Sequence, residues 1–236
     1  MRTSVLIGCT LVHMARSPQS PHSPGDPDTQ PQGGRRARRF DPERGTRILD
    51  AALDVLADVG VAGTTHRLVA ARADVPLGSV TYHFSSLADL QAQAFARHVE
   101  LQSAQFEQLL AGVETTEQLA EVLTDFVHGG PTRRRSARLG FELHLAALRD
   151  PALRALTQAW TDHSRSVLAR FTSADNAARL DALLEGMIMH ALLATVEEPR
   201  AKTLAAIVQT LEEARGTTST KTTKTTKATK ATKKGL

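Results

Sequence analysis

Residues 64–84, TTHRLVAARADVPLGSVTYHF, bring together side chains that can hold a phosphate group or the edge of a base. A guanidinium such as that of Arg67 can donate two hydrogen bonds to O6 and N7 of guanine. Hydroxyl, imidazole and small side chains follow within a few turns, and this mixture suits contact with phosphates and base edges. The alternative for Arg67 is a solvated surface arginine. The candidates for contact with DNA in this stretch are Thr65, His66, Arg67, Leu77, Gly78, Ser79, Thr81, Tyr82 and His83.

Two short helices joined by a tight turn are predicted to position these groups. The hydroxyl of Thr64 or Thr65 can accept from the free amides at the start of the first helix. Asp74 falls at the turn, where aspartate tolerates the left-handed backbone better than most residues do. Pro76 suits the start of the second helix, and Val80 then faces inward. Two helices crossing this closely are typical of a helix-turn-helix that reads DNA.

Helical patterns flank this stretch on both sides. Residues 44–60 repeat apolar side chains at helical spacing, with Gly60 at the usual C-terminal position, and residues 85–113 form one long helix. As an ordered set, the region from 42 to 102 resembles the TetR family of bacterial regulators. The resemblance rests on Arg47 to Leu53, Gly60, Thr64 and Thr65, Val69 and Ala70, Ala73, Val75, Gly78 to Val80, and Tyr82 to Phe84.

The resemblance implies an all-α fold with two domains. A three-helix DNA-binding domain occupies residues 42–102, with the helix-turn-helix at 65–84, and a helical effector-binding and dimerisation domain follows at 103–215. The implied partners are double-stranded DNA with a palindromic operator, a small-molecule effector and a second copy of the chain. The implied function is a transcriptional regulator, most often a repressor that its effector releases. Two recognition helices would enter major grooves about 34–36 Å apart.

Three positions depart from the usual TetR pattern. The family usually has glycine where this chain has Asp74, tyrosine where it has Thr81 and lysine where it has Leu87. The tyrosine and the lysine hold phosphates in the family. Their loss leaves other polar groups nearby to make such contacts, namely Tyr82, His83, Ser85 and Ser86.

Positive charge is concentrated at the two ends of the chain. The chain carries +4 in total, the first 39 residues carry +4 and the last 16 residues carry +6, so residues 40–220 carry −6. An acidic domain needs help to neutralise phosphates. Four arginines directly before the first helix can supply it as an arm in the minor groove or along the backbone. The alternative is a disordered spacer. The arm consists of Arg35, Arg36, Arg38 and Arg39.

Both ends have the composition of disordered segments. Residues 1–41 form a basic extension rich in proline, serine and glycine, and residues 216–236 form a repetitive threonine and lysine tail. Met1 and Met14 are alternative starts, and we favour Met14. The single cysteine, Cys9, excludes internal disulfides, and no apolar run reaches membrane-spanning length. These features favour a cytoplasmic protein without contact to a membrane.

Residues 103–215 show helical patterns throughout and no strand pattern of period two. An effector cavity between such helices needs aromatic and apolar walls with a few polar groups. The candidates are Phe106, Phe141, His144, Trp160, His163 and Met187. Glu142 could face a cationic ligand, and the triplet 133–135 could attract an anion or be a solvated helix start. A histidine inside an apolar stripe is more often a core residue than a ligand.

The helix predicted at 175–195 is apolar on two faces. One face has Leu180, Leu184, Ile188 and Ala191, and the other has Leu183, Met187, His190 and Ala194. A helix that covers only its own domain needs one such face. In the TetR family the last two helices pair with those of a twin subunit. We expect one face to form that dimer interface, without knowing which.

The sequence gives no pattern for catalysis. It lacks the common hydrolase, metalloprotease and phosphate-loop motifs, and its nine histidines do not repeat at ligand spacing. We therefore expect no enzyme activity, no metal site and no cofactor. Two rivals to a regulator remain: a helical ligand-binding or enzymatic module with a vestigial DNA-binding domain, and a protein that coats DNA through its lysine tail.

Overall fold

The computed structural model describes residues 42–212, and within this range every regular element is a helix. The all-α prediction is therefore confirmed. The helices are α1 (Arg44–Gly63), α2 (His66–Arg72), α3 (Leu77–His83), α4 (Leu87–Leu110), α5 (Thr116–Val127), α6 (Pro131–Ala147), α7 (Pro151–Leu168), α8 (Ala174–Leu193) and α9 (200–212). The proposed arginine arm, the lysine tail and the two alternative starts lie outside the described residues.

The first helix changes direction at Gly60, where the sequence predicts its end. Gly60 has φ 70° and ψ 178°, a backbone that glycine adopts without steric cost. One further turn, to Gly63, follows the kink. The hydroxyl of Thr64 then donates to the carbonyl of Gly60 over 2.8 Å and is buried. The kink fixes the angle at which the chain enters α2.

The helix-turn-helix forms as the sequence predicts. Thr65 caps α2 by accepting from the amide of Leu68 over 3.2 Å. Asp74 has φ 52°, the left-handed backbone expected of it, and is the single non-glycine residue with positive φ in the described chain. Pro76 precedes α3 as its N-cap residue, and Val80 is completely buried. The inward side of α3 thus fixes which of its side chains face outward.

Two apolar clusters make up the interior, and α4 contributes to both. The first joins α1, α2, α3 and the beginning of α4 to Leu139 and Leu143 of α6. The second joins the end of α4, from Phe106 to Leu110, to α5, α7, α8 and α9. Because α4 runs through residue 102, the predicted domain boundary falls within one continuous helix. The predicted DNA-binding domain also packs directly on α6.

The two faces of α8 differ in burial. The face with Leu180, Leu184 and Ile188 is buried in the second cluster. On the other face, Leu183 and Met187 are half-buried, while His190 and Ala194 are exposed. The structure therefore shows that the Leu184 face is the internal one, while the outer face packs only partly, through Leu183 and Met187, against the second cluster.

Candidate functional site

The candidate residues for DNA contact within the described chain lie at the start of α2 and along α3. Arg67, Leu77, Gly78, Thr81, Tyr82 and His83 are exposed, as is Thr65, whereas His66 and Ser79 are half-buried. Tyr82 is 86% exposed, so its side chain contributes little to the packing of the core. A Cβ added at Gly78 would meet nothing within 4 Å, so the surface is open at that point.

The start of α1 lies beside the end of α3. A Cβ added at Gly45 would lie 3.8 Å from Nδ1 of His83. The ring of His83 in turn contacts the ring of Tyr82 edge to face, with their centroids 5.4 Å apart. The beginning of α1 therefore lies next to the exposed end of α3.

Ser85 and Ser86, for which the sequence suggests phosphate contacts, are exposed and form hydrogen bonds with Asp89 within the chain. The hydroxyl of Ser86 caps α4 by accepting from the amide of Asp89. The amide and hydroxyl of Ser85 both donate to the Asp89 carboxylate, over 2.8 and 2.9 Å. Hydrogen bonds from Gln93 and Ser85 keep the pKa of Asp89 below its usual value, so a negative charge lies here. Leu87 packs against the first cluster.

Arg67 differs from its neighbour Arg72 in what it contacts. Arg72 forms an ion pair with Asp58 over 2.9 Å, and Asp58 also pairs with Arg135 of α6. Within the described range, Arg67 has neither an ion pair nor a side-chain hydrogen bond, and it is exposed. Its guanidinium is therefore free to contact a ligand such as DNA, while that of Arg72 is occupied.

A cavity with aromatic walls lies between α4, α6, α7 and α8, and its volume is about 90 Å³. The rings of His144 and Trp160 stack at an angle of 11° with their centroids 5.7 Å apart. Gly140 allows this stack, because a Cβ at that position would lie 3.1 Å from Trp160. We call this space the aromatic cavity. Its walls include Phe106, Phe126, Phe141, His144 and Trp160.

Most of the predicted effector residues line the aromatic cavity, and two do not. Phe106, Phe141, His144 and Trp160 meet there, although they come from three helices. Met187 lines a neighbouring cavity of about 330 Å³. His163 lies outside both cavities, with its Nε2 3.3 Å from a carboxylate oxygen of Glu107.

Sequence reasoning missed Asp181 and Gln102 of the aromatic cavity, and it left open whether Arg133 attracts an anion or is solvated. Asp181 is buried, its carboxylate accepts from Arg165 over 3.0 Å, and burial raises its pKa despite that partner. Gln102 and Arg133 also line the cavity, and Arg133 is half-buried rather than solvated. The local pattern gives no signal for Asp181 and Gln102, since a single polar residue on a helix has the same pattern whether it faces solvent or a cavity.

Glu142, for which the sequence leaves open a cationic ligand, does not line the aromatic cavity. Its carboxylate accepts from the amide of Val61 over 3.2 Å, just past the kink in α1. The carbonyl of Val61 accepts from Gln91 of α4 over 3.0 Å. On the same helix, Arg135 donates to Asp58 over 2.7 Å and to Asp54 over 3.0 Å. Helix α6 therefore contacts α1 with one side and lines the aromatic cavity with the other.

A buried histidine connects α4 to the cavity wall. His98 is 3% exposed, and its ring contacts Trp160 edge to face at 5.9 Å between centroids. Burial, aided by the charge of Arg133, lowers the pKa of His98 to about 4. His98 is therefore neutral at pH 7. Because His98 belongs to α4, a displacement of Trp160 would directly affect the packing of α4.

No helix within residues 42–212 is long and apolar enough to cross a membrane. The same range contains no group of histidine, cysteine, aspartate or glutamate residues arranged to hold a metal ion.

Two family models match the chain. Residues 48–94 match the model of bacterial regulatory proteins of the tetR family. Residues 114–213 match the tetracyclin repressor-like C-terminal domain. No curated protein matches the chain.

Several solved structures are similar to the chain. SCO7518 from Streptomyces coelicolor A3(2) is 39% identical with a TM-score of 0.66, and the match covers 72% of this chain and 99% of that one. SCO1917, a TetR family member from Streptomyces coelicolor A3, is 37% identical with a TM-score of 0.61 and the same coverage. The multidrug binding protein EbrR, in complex with ethidium, is 37% identical with a TM-score of 0.59, again covering 72% and 99%.

Proposed function

The chain belongs to the TetR family of bacterial regulators and is a DNA-binding transcriptional regulator, and from this premise we propose that it is a homodimeric repressor released by a small molecule. The observation that supports this most is the geometry of α6. It forms one wall of a cavity and also makes hydrogen bonds to α1, the helix on which the DNA-reading surface packs. Binding in the cavity and binding to DNA are therefore mechanically connected.

The DNA-reading surface consists of the exposed sides of α2 and α3. Arg67 reads a base, and Thr65, Leu77, Gly78, Ser79, Thr81, Tyr82 and His83 contact phosphates or approach the groove. The arginine arm, residues 35–39, adds phosphate contacts, because the start of α1 lies beside His83. Since Ser85 is bound to Asp89, the arm has to supply part of the charge that the missing lysine supplies in other members.

Dimerisation uses the outer face of α8 together with α9. Leu183 and Met187 are half-buried in a single chain, and Leu193 is 75% exposed. Burial of these apolar side chains against a second copy removes them from water. The dimer then presents two copies of α3 to successive major grooves of a palindrome.

The effector acts by binding the two states of the protein unequally. A ligand among Phe106, His144 and Trp160 displaces the cavity wall, and α6 transmits this displacement through Arg135 and Glu142 to α1. A second route runs from Trp160 through His98 to α4. Both routes change the separation of the two recognition helices.

The test is a footprint of the full chain on the DNA that flanks its own gene. We expect protection of one short palindrome and its loss on addition of the effector. Protection without sequence preference, abolished by deletion of residues 217–236, would instead favour a DNA-coating protein. A cavity ligand that leaves the footprint unchanged would contradict release.

One variant distinguishes the transmission of the effector signal through α6 from the binding of operator or effector. Arg135→Gln removes the contacts of α6 with Asp54 and Asp58 without touching either site. We expect operator affinity and effector affinity to stay within twofold, while the effector-induced loss of operator affinity falls about two- to fivefold, since partly exposed ion pairs are individually weak. Arg138→Gln is the matched control, because Arg138 is exposed on the same helix. Equal release by both variants would exclude this route.

A further inference from the structure

Arg133 lies at the junction of the aromatic cavity and the neighbouring cavity that contains Met187. Its guanidinium carbon lies 3.8 Å from the centre of the Phe126 ring. Its Nε is buried and has no hydrogen-bond partner. Within residues 42–212 the side chain thus contacts an aromatic ring and makes no hydrogen bond.

No carboxylate within residues 42–212 lies within ion-pair distance of Arg133. Burial alone lowers the pKa of Arg133 to about 10, so the group is still charged at pH 7. A half-buried charge without a counter-ion is costly, and its place in the first turn of α6 adds repulsion from the helix dipole. By contrast, carboxylate partners are present for Arg72, Arg97, Arg135, Arg165 and Arg200.

The acidic residues of the aromatic cavity are already occupied or exposed. Asp181 pairs with Arg165 over 3.0 Å. Glu185 is half-exposed and faces His144, whose Nε2 lies 3.8 Å away. In the described part of the chain, Arg133 is therefore the cavity cation that lacks a negative partner.

Gly129 fixes the path of the Arg133 side chain. A Cβ added at Gly129 would lie 2.6 Å from Cγ of Arg133 and 2.7 Å from its Cβ. Any other residue at 129 would push the arginine away from Phe126. The chain thus combines a glycine, an aromatic platform and an unpaired guanidinium at the edge of one cavity.

We propose that the aromatic cavity selects an aromatic carboxylate, whose ring packs against Trp160 and Phe106 and whose carboxylate accepts hydrogen bonds from Arg133. A volume of about 90 Å³ favours a single ring. The ligands bound to EbrR include ethidium and proflavin, which are cations, and a positive charge at Arg133 opposes such ligands. This inference deepens the proposed effector function and rests on it.

Trp160 makes the test specific to the cavity, because it is the only tryptophan of the chain. Two nitroaromatic quenchers share one ring and differ in charge: 4-nitrobenzoate and 4-nitrobenzylammonium. We expect 4-nitrobenzoate to quench Trp160 fluorescence of the full-length protein saturably, with a Kd at least tenfold below that of the cation. Arg133→Gln should abolish this preference, and Arg138→Gln should preserve it.

A second variant retains the positive charge of Arg133 but changes its position. Gly129→Ala should weaken 4-nitrobenzoate at least threefold in a variant that circular dichroism shows to be folded, because the added Cβ displaces the Arg133 side chain. The proposal is overturned if the cation binds as tightly as the anion, if neither quenches saturably, or if Arg133→Gln retains the preference.

Operator binding by the same samples is measured separately. If the protein binds its operator but prefers the cation, the aromatic-carboxylate proposal is wrong and the proposed regulatory function stands. If the protein prefers the anion but binds no specific DNA, the aromatic-carboxylate proposal stands and the proposed regulatory function is wrong.

Discussion

The outer surface of α2 and α3 and the aromatic cavity present their polar groups in opposite directions. On α3, side chains such as Tyr82 and His83 point to solvent, and the buried Val80 behind them holds their positions. In the cavity, His144 and Trp160 stack inward, and helices from distant parts of the chain complete the walls. The first site is one stretch of some 20 residues, whereas the second exists only after the body has folded.

This difference affects how each site responds to mutation. A side chain on the DNA-reading surface can be changed with little effect on the core, because its neighbours are mainly solvent. A residue of the cavity or of α8 contributes to packing as well as to binding. Variants of both regions therefore test this contrast.

The two faces of α8 should respond differently to a buried charge. Leu184→Glu places a carboxylate where the side chain is 4% exposed, and we expect it to unfold the protein, at a cost of about 3–5 kcal/mol. Leu183→Glu should give a folded, helical monomer with greatly weakened operator binding. Circular dichroism and sedimentation distinguish these results.

The wild type provides the control for this pair. A monomeric wild type at micromolar concentration would contradict the dimer model, and so would a Leu183→Glu variant that stays dimeric. Unfolding of both variants would show that both faces of α8 belong to the core.

His98 should make the folded body sensitive to acid. The pKa of His98 is about 4 in the folded chain and about 6.5 in the unfolded chain. Between these pH values His98 is protonated in the unfolded state and neutral in the folded state. Stability is therefore complete above pH 6.5 and falls as the pH drops towards 4. The expected loss is about 3 kcal/mol.

Urea unfolding at pH 7, 5 and 4 measures this effect against His98→Phe, which keeps a ring beside Trp160. The variant should lose less stability over this range than the wild type. Parallel pH profiles for the two proteins would assign the acid sensitivity to other groups.

Arg67→Ala should alter sequence preference and leave the fold intact. If the guanidinium donates twice to guanine, its loss costs about 1–3 kcal/mol per half-site and relaxes preference at one or two symmetry-related bases. Binding to a set of operator variants measures this. Equal weakening on every sequence would identify Arg67 as a phosphate contact, and Arg138→Ala is the control for charge.

The arginine arm should have the smallest effect on specificity. Deleting residues 35–39 should lower affinity for all sequences and flatten the salt dependence, because each lost phosphate contact removes about 0.9 from the log-log slope. Affinity measured at several salt concentrations checks this. An unchanged slope would leave the segment as a spacer.

Short-range patterns made much of the fold predictable. The left-handed Asp74, the cap at Thr65 and the buried Val80 follow from chemistry within a few residues, and the structure confirms all three. The hydrogen-bond partners of Glu142 and Ser85 cannot be predicted from the sequence, because a polar side chain can bind solvent, a ligand or another group of the protein. In the structure, Glu142 accepts a hydrogen bond from the amide of Val61, and Ser85 donates one to Asp89.

The sequence by itself determined the helix order, the family and the side chains that face outward on α3, since helical periodicity and capping act over one or two turns. Only the tertiary structure decided which face of α8 is internal, which aromatic residues share a cavity and that Arg133 lacks a carboxylate partner within the described chain. Those properties depend on contacts between residues far apart in the chain. Such contacts form only when α4, α6, α7 and α8 pack together, and no local pattern specifies them.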